Sequence, residues 1–314
     1  MNKFLKRIAL LFCTVLLTGC AGQDAQNNFV VTDDALIKES LVIDGLEEEY
    51  DILFLTDTHM IVMSDADDEQ VAQNASERYP MFSNELGVSS AEQFPVWMEY
   101  AVENQLDAVL FGGDIIDYPS KANLEYLQSN LEQLNMSYLY ALGNHDWTYP
   151  WEYMTDFGKE EYLPLMKPFV GENTAIQSLD MGEFIVVTVD NSAGQVNEEA
   201  LEGYRSILSQ EKPVIVMVHV PFLTQSVLSK AKENWSTPVV IGGGNYGGIY
   251  PNDVSETFIQ ETTAADSPVV AFLAGHVHYY DKDFVLGEKN IVQIVGDGGY
   301  KGKGILLHIS GSEQ

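Results

Sequence analysis

The sequence predicts an α/β protein whose strands are buried on both faces and whose helices cover the sheet. Three observations carry that expectation. Short, uninterrupted apolar runs recur along the 314 residues, amphipathic segments separate them, and most of the runs end in short polar motifs. An apolar run of four or five residues bounded by polar groups suits a strand without a solvent face. Such runs are Ile52 to Leu55, Ala108 to Phe111, Tyr138 to Leu142, Val214 to Val218 and Val269 to Leu273. Between them, Ala91 to Gln105 and Ala122 to Leu134 place apolar residues at helical spacing, as does Asn197 to Ser209, with Asn197 as its cap. Alternating strands and helices put helices on the faces of a sheet. In such sheets ligands bind beyond the carboxyl ends of the strands, which is where these motifs begin. The later runs Phe184 to Val189, Asp283 to Leu286, Ile291 to Val295 and Ile305 to Ile309 carry few helical signals between them, and fit a second sheet packed on the first. Met60 to Ser90 and Leu223 to Asp253 look like insertions. The second contains a glycine run, Gly242 to Gly248, read as a loop near the site because it lacks the Lys-Ser/Thr ending of a phosphate-cradling loop. With neither an internal repeat nor a low-complexity linker, one domain over residues 35–314 is expected.

The amino terminus reads as a targeting segment. Lys3, Lys6 and Arg7 precede an apolar stretch from Ile8 to Leu17 that is too short to span a bilayer. It ends in Leu17-Thr18-Gly19-Cys20, which resembles a bacterial lipoprotein signal. That resemblance implies cleavage after residue 19, acylation of Cys20, and a flexible tether over residues 20–34. The protein would then be anchored to the cell membrane by lipid and face outside the cytoplasm. The mature chain would have no free thiol, because Cys13 leaves with the signal.

The formal charge is −31, and loss of Lys3, Lys6 and Arg7 makes it −34. Arg78 and Arg205 are the arginines outside the leader. Such a surface repels polyanions and argues against a nucleic-acid polymer as partner. Nothing in the sequence points to an obligate protein partner.

Five of the six histidines sit in the polar motifs. These are Asp57-Thr58-His59, then Gly113-Asp114-Ile115-Ile116-Asp117, then Gly143-Asn144-His145-Asp146, then His219, and finally Gly275-His276-Val277-His278. Five separate places thus supply only oxygen and imidazole donors, a set suited to two divalent cations of borderline character such as Mn, Fe, Zn, Co or Ni. His308, outside every motif, reads as structural. Taken together and in this order, the motifs resemble the calcineurin-like metallophosphoesterase superfamily over roughly residues 51–309. The resemblance implies two packed mixed β-sheets flanked by helices, a four-layer α/β/β/α sandwich. It also implies that Asp57, His59 and His278 hold one metal, that Asn144, His219 and His276 hold the other, and that Asp114 bridges them. A carboxylate between two cations offsets their repulsion. The alternation of an extended His-Val-His segment would send its two rings to opposite sides, so a turn at Gly275 is expected to bring both inward. The second motif lacks the tyrosine of purple acid phosphatases, and the first has the histidine that those enzymes lack.

The implied reaction is phosphoester hydrolysis. The resemblance implies that a metal-bridging hydroxide would attack phosphorus in line and that His145 would protonate the leaving oxygen. Asp146 is expected to accept a bond from the His145 ring, and Asp117 to orient a ligand rather than bind metal. Trp147 and Tyr149, with Trp151 and Tyr153 beside them, follow the acid and offer rings to a substrate. Lys301 and Lys303 would meet a distal phosphate. The expected substrate is a small organic phosphoester. The alternatives are a phosphodiester or pyrophosphate cleaved at the same site, or a lipoprotein that binds without catalysis.

Overall fold

The computed structural model describes residues 29–65, 67–148, 154–242 and 248–312. The leader with Cys20, the residue Tyr149 with Trp151 and Tyr153, and the centre of the glycine run lie outside them.

Two mixed sheets form the framework. The first has the order β1 (Leu36–Val42), β13 (Gly304–Ser310), β2 (Tyr50–Leu55), β3 (Ala108–Phe111), β4 (Ser137–Tyr140). In it β2, β3 and β4 run parallel, while β13 is antiparallel to β2. The second has the order β11 (Asp281–Val285), β12 (Ile291–Val295), β10 (Val269–Ala274), β7 (Val214–Met217), β6 (Ile185–Val189), β5 (Ile176–Asp180). Its four central strands are parallel and its two edges antiparallel. A short parallel pair, β8 (Val240–Ile241) with β9 (Gly248–Ile249), lies in the second insertion.

The strands are apolar on both faces because both faces are covered. Phe54, Leu110 and Leu139 of the first sheet meet Val186, Met217 and Leu273 of the second in one inter-sheet core. The outer face of the first sheet packs Leu53, Val109 and Phe111 on α2 (Ser90–Glu103) and α3 (Lys121–Leu131), which follow α1 (Glu69–Arg78). Beyond β4 come α4 (Asp156–Tyr162) and the short α5 (Lys167–Val170). The outer face of the second sheet packs on α6 (Glu198–Leu208), α7 (Gln225–Asn234) and α8 (Asp253–Thr262). The result is helix, sheet, sheet, helix.

Helix α2 illustrates how the sequence sets these layers. Ser89 accepts from the Glu92 amide and Glu92 accepts from the Ser89 amide, a reciprocal cap that starts the helix. Phe94, Trp97, Met98 and Ala101 then recur at intervals of three and four and are buried against the sheet. Each large side chain so buried contributes about 1.5–3 kcal/mol.

The structure departs from expectation in the sheets. Ile305 to Ile309 does not join the second sheet. It lies in the first, between β1 and β2, with Ile305 opposite Phe54 and Leu307 opposite Ile52. Its alternating burial suits either sheet, so the apolar pattern alone does not select the partner. Strands β1 and β5 have no uninterrupted apolar run because they are edge strands with a face open to solvent.

Candidate metal centre

The five motifs follow the carboxyl ends of β2, β3, β4, β7 and β10, and their loops pack directly on one another. The Asp57 amide donates to Gly113 O, the His59 amide to Asp114 O and the Gly275 amide to His219 O, each at 2.9 Å. The His276 amide donates to both carboxylate oxygens of Asp57, at 3.0 and 2.9 Å. There is no room for side chains at the crossings. A Cβ on Gly143 would lie 2.2 Å from the Asp114 amide nitrogen, and one on Gly275 would lie 1.9 Å from Thr56 Oγ1.

The backbone at the ligands is strained in a common way. Asp57, His59, Asp114, His276 and His278 have φ between 45° and 72°, and they make up five of the seven non-glycine residues with positive φ among those described. Such conformations cost on the order of 1 kcal/mol each and persist where the surroundings over-determine them. The expected turn at Gly275 is present: the Val277 amide donates to the Gly275 carbonyl at 2.9 Å, and His276 and His278, with positive φ, flank buried Val277, while Gly275 also packs closely against Thr56.

Three groups of donors result among the described residues: two match the expected ligand sets, and the third, His59, Asp114 and His145, shares a member with each of them. The ligand atoms of Asp57, His59 and His278 lie within 4.8 Å of one another, and so do those of Asp114, His219 and His276. Asp114 Oδ2 faces both groups, 3.1 Å from His219 Nε2 and 3.8 Å from His59 Nε2. Asp57 and Asp114 are essentially buried. The buried Asn144 Oδ1, among the described residues, has no hydrogen-bond partner, and such an orphaned acceptor calls for an explanation. A cation held there would supply it. The ring tautomers fit as well. His219 Nδ1 lies 2.8 Å from Gly112 O and His59 Nδ1 3.1 Å from Asp117 Oδ1, so each ring donates outward and leaves Nε2 for a metal.

The electrostatics are those of a cation site. Burial, followed by the neighbouring imidazole of His145, lowers His59 to about 4. Burial and His219 lower His276 to about 3. Both rings are therefore neutral at neutral pH, the form that ligates. Burial opposes charge on His219, yet the Asp114 carboxylate outweighs it and raises the ring to about 9. Burial likewise opposes charge on Asp114, which the rings of His219 and His145 hold well below the usual carboxylate range. The clustered His and Asp side chains are suited to a dimetal centre.

Around this cluster the structure reassigns one carboxylate, Asp146, while Asp117 meets the His59 ring and takes His145 as well. His145 Nδ1 lies 2.9 Å from Asp117 Oδ1, not against Asp146. Burial disfavours the charged ring, but Asp114 and Asp117 together raise it. Asp146 instead accepts from the amides of Gly143, Asp114, Ile115 and Ile116 at 2.8–3.3 Å and from the Tyr140 hydroxyl at 2.9 Å. It ties the third motif to the second. Burial and the charge of Asp114 push its carboxyl up to about 7.

Asp117 in turn takes a donor pair from Arg78, through Nε and through Nη2 at 2.8 Å. Sequence reasoning missed Arg78, although its rarity in the chain was a signal. Phe82 was also missed, and its ring stacks on His59 with centroids 4.4 Å apart.

The cavity over the ligands has a volume of about 600 Å³, with Asp114, Asn144, His145, His276 and His278 at its base. Trp147 lines it but is almost wholly buried, its indole N–H donating to Ser192 Oγ at 2.8 Å. Lys301 does not face this cavity. Its ammonium donates to the His278 carbonyl and to Asp297, and it lines a separate cavity with Lys303. Trp235, which the sequence did not single out, stands in the wall.

Residues 50–280 match the family model described as calcineurin-like phosphoesterase. No curated protein matches the chain. Among solved structures, a purple acid phosphatase from yellow lupin seeds is 15% identical with a TM-score of 0.53, over 83% of this chain and 45% of that one. A dimetal phosphatase from Danio rerio is 12% identical with a TM-score of 0.48, over 80% of this chain and 88% of that one. A Haemophilus influenzae NAD nucleotidase is 12% identical with a TM-score of 0.40, over 80% and 50%. At these identities the likeness to the lupin enzyme is one of fold.

Proposed function

The chain belongs to the calcineurin-like phosphoesterase family and is a hydrolase of phosphoester bonds, and from that premise we propose that it cleaves a small organic phosphoester outside the cytoplasm. Asp57, His59 and His278 would hold one divalent cation and Asn144, His219 and His276 the other, with Asp114 between them. The observation that carries this reading is the pair of donor groups, with Asp114 Oδ2 3.8 Å from His59 Nε2 of one and 3.1 Å from His219 Nε2 of the other, beside the partnerless Asn144 Oδ1. Two cations supply the charge that binds phosphoryl oxygens and acidifies water.

The chain's own residues do the rest. The His145 ring, at the base of the cavity, holds a proton for the leaving oxygen. Asp117 fixes that ring through Nδ1 and favours its charged form, and Arg78 fixes Asp117. Asp146 holds the Asp114 turn through its backbone amides. The lipobox-like Leu17 to Cys20 supports attachment to the membrane through Cys20. Among the described residues no helix is long and apolar enough to cross a membrane. The pairing of β1 with β13 supports a single domain from residue 35 onward.

The test is hydrolysis of para-nitrophenyl phosphate and its bis-ester by the chain from Ala21 onward, metal-stripped and then restored with Mn, Fe, Zn, Co or Ni. Metal-dependent turnover is expected, abolished by Asp114→Ala and lowered about 10²- to 10⁴-fold by His145→Asn. In cells the activity should sediment with membranes, and Cys20→Ser should release it. Turnover that survives both metal removal and Asp114→Ala would overturn the reading.

A further inference from the structure

The cavity wall bears on which ester enters. Trp235 follows the last residue of α7 and is partly exposed. Its indole N–H is satisfied by Val277 O at 3.1 Å, and the ring lies parallel to that of His276 and edge-on to that of His278, with centroids 6.3 and 5.3 Å away. What it offers the cavity is therefore hydrocarbon and a π-face, with no donor left over. Val220, Pro238, Val239, Ile249 and Met154 continue the wall.

Lys159, Ser192 and Thr155 of the lining are already engaged. Lys159, the one lysine or arginine among the described lining residues, is held by Asp190 at 2.5 Å and lies over the Trp147 ring. Ser192 donates to Asp190, and Thr155 caps α4. Asp156 adds negative charge at the lining. Two cations held by the donor groups would take one phosphoryl group, but a second phosphate would find no further cation among the described lining residues, and burying a charge without a partner is costly.

We propose that the site selects a phosphomonoester with a single phosphate, whose leaving group is an uncharged, planar ring seated against Trp235. Trp235 is then a specificity-determining residue. This rests on the phosphoesterase reading above. Benzyl and ethyl phosphate separate the two claims, because their alcohols are similar leaving groups and differ in the ring.

With the full chain, Mn-loaded, kcat/KM should favour benzyl over ethyl phosphate by about tenfold, the size of one good aromatic contact. Trp235→Ala should remove that preference, lowering kcat/KM for benzyl phosphate about tenfold relative to ethyl phosphate, while Trp235→Phe retains most of it. The Kd values of benzylphosphonate and ethylphosphonate should follow the same pattern without turnover. Equal use of both esters by the unaltered chain would overturn the inference while leaving the hydrolase reading intact. So would a Trp235→Ala loss equal for both, which would reduce Trp235 to a prop for the His276–His278 loop. No turnover of either ester with two equivalents of metal bound would remove the hydrolase reading, and the inference with it.

Discussion

At the scale of single residues, the centre of the site's second layer of contacts is Asp117. One carboxylate receives Arg78, His59 and His145, so it sets at once the tautomer of a ligand and the proton of the acid. Burial opposes its charge, but the Arg78 guanidinium and the two rings hold its carboxyl far below the usual range. A prediction follows with a definite sign. His145 is raised by Asp114 and Asp117, so its proton is present below the raised value and lost as pH climbs through it. Asp117→Asn removes one of the charges that raise it. The alkaline limb of kcat against pH should then move to lower pH, whereas an unshifted limb would place the acid elsewhere. The residue types of the site were legible in the sequence, whereas the Asp146 contacts and the pairing of Asp117 with His145 and Arg78 were not. His145 to Trp147 form a 3₁₀ turn, in which neighbouring side chains diverge by about a third of a revolution. Adjacent His145 and Asp146 therefore point apart, and the partner comes from another loop.

At the scale of elements, strands were legible where both faces are buried and illegible at the sheet edges. The run Ala108 to Phe111 is β3 itself and has no solvent face. The sequence of β1, Leu-Ile-Lys-Glu-Ser-Leu-Val, offers no such run. Asn197 caps α6 as expected, accepting from the Ala200 amide at 2.8 Å. Partner choice is a longer-range matter, which is why β13 was expected in the wrong sheet. The loops between elements are held by contacts too close for a side chain, and Gly275 tests this. Gly275→Ala should cost about 1–3 kcal/mol in denaturant unfolding and weaken metal retention, because its methyl would press on Thr56 and Asp57, beside two ligand loops. A variant with unaltered stability and full metal content would show that the loops can yield.

At the scale of the whole molecule, two sheets place the carboxyl ends of five strands together, and strongly acidic composition meets a buried cluster of imidazoles and carboxylates. Of the 47 acidic residues, Asp57 and Asp114 are, among those described, the ones in the donor groups. The five motifs were legible because each donor type is chemically specific. Their convergence was not, since it depends on left-handed backbone at five donors and on the partners of Asp117. The central claim is that these donors hold two ions. The measurement is metal content per folded chain after saturation with Mn or Zn and removal of excess, for the unaltered protein and for Asp114→Ala. The account predicts two ions per chain and no more than one in the variant. Fewer than two in the unaltered chain, or two in both, would contradict it.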